Sequence, residues 1–445
     1  MNIIKVITGS VAAVLLLSAT VGCCKEKPEE PVNVNRKVLL FYECGFNNLT
    51  SYLKDNMDGK EKGLPAGYVP RESGDVVLIY SRYSKVGDYN YTPVESHLRR
   101  IYKKPNGKIV SDTLKTFGTE TIAASSSTMR QVLTYVKDEF PAKGYGLVFS
   151  SHGSGWLPAG YFSEPSRFEN DHQGEVQTQG TASLRSKGNA AILRRLPVPV
   201  GNLADTDPYY GMTRSIGQDA ITKSYYGHEM SVSEFVDAIP YHLDYILFDM
   251  CYTAGVEMAY ALKDKADYLG LSPAEVLGDG MFNYTKITSF LLNRETPDLE
   301  GLFKDSFEMY DKQSGDYRSS TVNLVRTSGL DNLASVCARM INEYSDALAD
   351  APVDDIQGYY RRGRHYFYDL VDIFEKCGAS KADLEDLHKA VDGCVIYKNS
   401  TGQFLEEFDI KAYSGFSMYL PCAGTPLLDL YYRKEVWNNA TRLVK

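Results

Sequence analysis

Apolar residues along this chain come in short unbroken runs. Residues 36–43 (RKVLLFYE), 75–82 (DVVLIYSR), 146–151 (GLVFSS), 245–249 (YILFD) and 268–271 (YLGL) each read as a strand buried on both faces. Such runs suit a parallel sheet, because an exposed sheet face would impose alternation. Residues 108–117 (KIVSDTLKTF) read as extended. Helical spacing falls between the runs. It is seen at 47–57, at 254–265, at 231–239 behind Ser231, and at 125–140, where Met129, Val132, Leu133 and Val136 share one face. Strands alternating with helices predict an α/β fold with a mostly parallel central sheet covered on both faces. Beyond about residue 284 helices dominate, at 299–313, 329–350, 366–377 and 381–391. Strands are expected there at 321–326, 394–398 and 416–420, so this part should add strands to a sheet edge and helices around it.

Two segments break the pattern. Residues 1–23 carry Lys5, a short apolar run from Val6 to Leu17, and Gly22 directly before Cys23. The run is shorter than the roughly 20 residues a membrane-spanning helix needs, and reads as an export signal. The Gly–Cys junction resembles a bacterial lipobox, which would make Cys23 the lipidated first residue of an envelope-anchored protein. Cleavage by an ordinary signal peptidase, giving a secreted protein, is the alternative. Residues 24–35 are charged and Pro-containing and read as a tether. The second exception, 158–229, is a long polar insert. The resulting division is signal peptide 1–23, tether 24–35, a main α/β domain 36–290 including the insert, and a C-terminal part 291–445.

Composition narrows the function classes. With 445 residues, 43% hydrophobic and 24% charged, the chain is ordinary globular material. A net charge of −9 argues against a general nucleic-acid binder, which needs a basic face. The cysteines are scattered without a CxxC pair, which disfavours thiolate metal sites but leaves one or two disulfides open. His172, His228 and His242 show no HExxH spacing, so zinc is disfavoured.

The chemistry concentrates where two apolar runs end. After Leu147–Ser151 comes His152-Gly153-Ser154-Gly155-Trp156, and after Tyr245–Asp249 comes Met250-Cys251-Tyr252. Ligands bind outside the carboxyl ends of strands in an open parallel sheet. If these two strands are neighbours, His152 and Cys251 meet there although 99 positions apart. A cysteine beside a histidine can attack a peptide carbonyl while the imidazole handles the proton. The Gly153 and Cys251 amides are candidate oxyanion donors. A serine hydrolase using Ser154 is a rival, but Gly153-Ser154-Gly155 lacks the strand–turn–helix setting of a nucleophile elbow.

Both segments resemble the clan of caspases, gingipains, legumains and clostripain, and most closely the clostripain (C11) family. The resemblance rests on Asp249-Met250-Cys251 with Val256-Glu257-Met258-Ala259-Tyr260, and on Leu277-Gly278-Asp279-Gly280-Met281 with Tyr284. Asn47-Asn48-Leu49 and Gly415-Phe416-Ser417-Met418-Tyr419-Leu420-Pro421 extend it. Met281 departs from the aromatic residue common there. The resemblance implies a caspase-like sheet with a helical C-terminal addition, and an endopeptidase acting on proteins or peptides with basic residues. It places Asp249 and Asp279 at the pocket for an Arg or Lys side chain, whose desolvation needs a carboxylate. It also implies self-cleavage between His152 and Cys251, with Arg194 or Arg195 the first candidates. Calcium is known in parts of the family, but no EF-hand loop supports it here. The contrasting reading is a catalytically silent, surface-binding lipoprotein of the same fold. Residues 361–365 (RRGRH) read as a solvated basic turn.

Overall fold

Leu39, Phe41, Val148 and Leu247 pack on one side of the central strands, while Leu40, Tyr42, Leu147 and Phe248 pack on the other. That two-sided burial is what the unbroken apolar runs require, and it sets the architecture. The computed structural model describes residues 36–64, 74–88, 90–162, 215–221, 224–292, 294–361 and 366–445. The signal segment, the tether and the candidate cleavage residues Arg194 and Arg195 lie outside them.

The elements follow in order: β1 (Lys37–Gly45), α1 (Thr50–Gly63), β2 (Val76–Tyr83), β3 (Ser96–Lys103), β4 (Ile109–Phe117), α2 (Ser126–Glu139) and β5 (Gly144–Ser150). The insert closes with β6 (Ile216–Ile221) and β7 (Ser224–Met230), and then come α3 (Val232–Ala238), β8 (Leu243–Asp249), α4 (Val256–Ala261) and β9 (Ala266–Leu271). Then follow α5 (Ile287–Leu291), α6 (Leu299–Asp311), β10 (Thr321–Arg326), α7 (Leu330–Glu343), α8 (Ser345–Ala349), β11 (Tyr368–Asp369), α9 (Leu370–Lys376), α10 (Lys381–Cys394) and β12 (Val395–Ser400). Two short C-terminal helices, α11 (Pro426–Tyr432) and α12 (Val436–Thr441), close the chain.

A nine-stranded sheet runs β12-β10-β9-β8-β5-β1-β2-β3-β4. Its centre, β9-β8-β5-β1-β2, is parallel throughout. The edges are antiparallel, with β3 and β4 on one side and β10 and β12 on the other. Helices cover both faces. α1, α5 and α6 bury Met57, Ile287 and Phe303 on one side, and α2, α3, α4, α7 and α10 bury Met129, Phe235, Met258, Leu333 and Leu387 on the other.

Several local expectations shift. β3 escapes notice in the sequence because its SHLRRIYK pattern, with Arg99 and Arg100 half-buried, mixes polar positions into a strand paired on both sides, by β2 and β4. The helix expected over 329–350 breaks at Tyr344 into α7 and α8. The helix expected over 366–377 begins only at Leu370, where Asp369 caps it by accepting from the Val371 and Asp372 N–H groups. Residues 416–420 supply only Ser417–Met418, which pairs with β11 outside the main sheet. The polar insert ends in an ordered hairpin, β6 with β7.

Candidate active site

β5 and β8 are hydrogen-bonded neighbours in parallel, with Ser150 opposite Asp249. His152 and Cys251 each stand two residues past that pair and so leave the sheet at the same level. Both line one pocket, together with Asn48, Asp249, Glu275 and Leu405. The two loops press together at Gly153, where a Cβ would lie 2.3 Å from Met250 Cγ and 2.8 Å from the Cys251 carbonyl oxygen. Only a residue without a side chain allows that approach.

Main-chain bonds fix the histidine loop from the far side. The Gly217 N–H donates to the His152 carbonyl at 3.0 Å and the Ser154 N–H donates to the Ser215 carbonyl at 3.2 Å. These bonds flank the Gly153–Ile216 pair, and among the described residues the Gly153 N–H makes no hydrogen bond. The Cys251 N–H likewise makes no hydrogen bond among the described residues. After Cys251 the chain turns sharply, with Tyr252 at φ +57°. A bulky residue there costs about 1–3 kcal/mol and persists only when its surroundings hold it. Here Tyr252 is fully buried, stacks on Phe367 at 4.6 Å, and donates its N–H to the Ala274 carbonyl at 2.9 Å.

His152 Nε2 meets Asn48 Oδ1 at 2.6 Å. In the sequence Asn48 enters only through the Asn47-Asn48-Leu49 resemblance after the first strand, with no catalytic role attached; it stands just past the end of β1, the other neighbour of β5. The Cys251 sulfur accepts from the Val276 N–H at 3.3 Å and its S–H donates to the Val276 carbonyl at 3.7 Å. Burial, followed by the nearby Glu275 carboxylate, pushes the thiol up to about 12.

The acidic candidates divide. Asp249 lines the pocket, is 6% exposed, and accepts from the Met281 N–H at 2.6 Å and from the Tyr284 hydroxyl. Burial raises its carboxyl, partly offset by those bonds and by Lys60. Asp279 is exposed and is not part of the pocket wall. Glu275, unnoticed in the sequence, does line it. Its partner corrects the solvated-turn expectation at Arg361; residues 362–365 lie outside the described residues. Arg361 is 6% exposed and pairs with Glu275 at 2.8 Å and Glu407 at 2.9 Å. Both carboxylates are distant in sequence, so local composition does not reveal these contacts.

All six described cysteines are free. Among the described residues no group of His, Cys, Asp and Glu could hold a metal ion, and no helix is long and apolar enough to cross a membrane.

The model of the Peptidase C11, or clostripain, family matches residues 41–169 and 201–432. The chain belongs to that family. It is a cysteine peptidase of the clostripain type, with the caspase-like α/β architecture described above. Solved clostripain-family structures share the fold. An inactive zymogen C11 protease from Parabacteroides distasonis is 24% identical, with a TM-score of 0.67 over 93% of this chain and 99% of its own. A secreted C11 cysteine protease from Bacteroides thetaiotaomicron, called iotapain, is 22% identical, with a TM-score of 0.68 over 92% of this chain and 100% of its own. A structure of a secreted C11 protease from the same organism with an irreversible peptide inhibitor is 20% identical, with a TM-score of 0.66 over 92% of this chain and 98% of its own. A search of curated proteins finds no match.

Proposed function

We propose that this clostripain-family peptidase is an exported endopeptidase that hydrolyses peptide bonds after Arg or Lys through a Cys251–His152 dyad. The observation that carries the reading is the β5–β8 register, which delivers both side chains to one pocket beside two unused N–H groups. Cys251 Sγ attacks the substrate carbonyl as its proton passes to His152. The Gly153 and Cys251 N–H groups donate to the oxyanion that forms. The imidazolium gives its proton to the departing amine, leaving a thioester on Cys251. His152 then takes a proton from water, whose attack releases the acid and restores the thiol. With the Asn48 oxygen as acceptor, Nε2 carries the ring hydrogen, and Nδ1 is the basic nitrogen.

Asp249 supplies the counter-charge for a basic substrate side chain. Its oxygens already accept two hydrogen bonds, yet a carboxylate offers about four lone-pair sites. Asp279 is assigned a secondary part at the pocket's outer edge, in keeping with its exposure. Processing after Arg194 or Arg195 and lipidation of Cys23, anchoring the enzyme to the cell envelope, complete the proposal.

The test is hydrolysis of reporter peptides ending in Arg, Lys or Asp by wild type and Cys251→Ala. Cleavage after Arg and Lys alone, lost in the variant, is expected. Activity that survives Cys251→Ala would remove the mechanism, and equal cleavage after Asp would remove the specificity.

A further inference from the structure

β6, the first strand of the hairpin that closes the insert, bonds to both loops that carry the imidazole contact. β6 stays out of the nine-stranded sheet and pairs with β7. Its first half lies along the histidine loop, through the Gly217–His152 and Ser215–Ser154 bonds and through the Gln218 N–H, which donates to Ser151 Oγ at 3.0 Å. The same strand reaches the loop after β1. The Asn47 side chain donates to the Gln218 carbonyl at 2.9 Å, and the Ala220 N–H donates to the Phe46 carbonyl at 2.8 Å. Asn48, next in the chain, meets His152. Gly217 makes this route possible with φ +74°, a conformation L side chains rarely adopt.

A charge pair in the core sets the position of β6. Asp219 and Arg82 have side chains only 1% and 6% exposed and meet at 2.7 Å. The Ala123 N–H donates to the same carboxylate oxygen, Arg82 Nη2 donates to the Thr119 carbonyl at 2.7 Å, and the guanidinium lies 4.1 Å from the centre of the Phe46 ring. A buried pair is weak evidence for stability, because apolar residues of similar volume often serve as well. What a pair adds is register. A one-residue slip of β6 would turn Asp219 to the other face and leave Arg82 uncompensated.

We propose that Arg82 and Asp219 are positioning residues for His152, acting through β6. They fix the Gly217–His152 bond and the placement of Asn48 together, and so the direction in which the imidazole faces Cys251. The proposal rests on the assignment of His152 as acid and base.

The test uses the full-length protein. Arg82→Met combined with Asp219→Leu removes both charges and leaves no unpaired ion. Asp219→Asn keeps the volume and one acceptor. The readouts are kcat and KM on an Arg-terminated reporter peptide, the rate of Cys251 alkylation by iodoacetamide at neutral pH, and thermal melting. In the folded double variant kcat should fall about 10- to 100-fold with KM held within about twofold, as for a displaced catalytic group. Alkylation should slow toward the rate of His152→Ala. Asp219→Asn should show a smaller loss of the same kind, and Arg82→Lys, which keeps the charge, should retain part of the activity. A folded double variant with wild-type kcat and alkylation overturns the proposal. If that variant does not fold, wild-type kcat in Asp219→Asn overturns it. A His152→Ala protein that alkylates as fast as wild type removes the acid–base assignment itself, and the clamp with it.

Discussion

A cysteine serves as a nucleophile only if its proton can leave. Here burial and the Glu275 carboxylate push the Cys251 thiol up to about 12, so in the proposed dyad the imidazole has to take the proton as attack begins. Removing the like charge should lower the thiol's pKa and raise the thiolate fraction at any given pH. Glu275→Gln, which keeps an oxygen for Arg361, is therefore expected to speed iodoacetamide alkylation of Cys251 at neutral pH about threefold or more. An unchanged or slower rate would contradict this electrostatic account. Asp249 makes the second test at this scale. Asp249→Asn preserves shape but leaves a cationic substrate side chain without its counter-charge. The expected result is a fall of about tenfold or more in kcat/KM for Arg and Lys reporters, with alkylation of Cys251 no slower than wild type, because the Asp249 charge also raises the thiol. Retained Arg and Lys preference would take Asp249 out of the pocket's chemistry.

Elements explain what could be read in advance. His152 and Cys251 were legible because each ends a strand buried on both faces, and such strands in a parallel sheet end at the same rim. Asn48 and Glu275 were not, because their contacts arise only when the turn after β1 and the loop after β9 fold over that rim. Arg82 and Asp219, 137 positions apart, carry no local signal at all. Arg361 misled for the opposite reason, since a run of basic residues suggests solvent while its own side chain is buried. The helix after Cys251 shows a further element-scale device. Glu257 in α4 is fully buried and accepts from the Tyr419 N–H at 3.0 Å and the Tyr432 hydroxyl at 2.7 Å, tying α4 to the C-terminal helices. Burial raises Glu257 to about 7, and burial with Glu257 beside it raises Glu435 to about 8. A carboxyl raised in the folded state contributes stability that is complete below its unfolded value and lost as pH climbs through the folded one. Stability should therefore decline from about pH 4.5 to 8, by on the order of 3 kcal/mol for a shift the size of Glu257's. Glu257→Gln, which cannot ionise, should flatten that decline in thermal melts across this range. An equally steep decline in the variant would contradict the assignment.

At the scale of the whole molecule, the edges of the sheet join the two parts of the chain. β10 and β12 extend the parallel centre, and the Arg361–Glu275 pair binds the C-terminal part to the pocket wall. The hairpin of β6 and β7 lies beyond the proposed cleavage residues and stays bonded to the histidine loop. Processing after Arg194 or Arg195 should accordingly give two pieces on a denaturing gel and one species in native mass analysis, while Cys251→Ala stays uncut. Wild type that is fully active as a single intact chain would remove self-processing from the account. The pairing of His152 with Cys251 is tested most directly by intact-protein mass spectrometry after reaction with an Arg-terminated peptide chloromethyl ketone. The account predicts one adduct, mapped to Cys251 and strongly reduced in His152→Ala. An adduct on another cysteine such as the exposed Cys422, or labelling of Cys251 that is indifferent to His152, would contradict it.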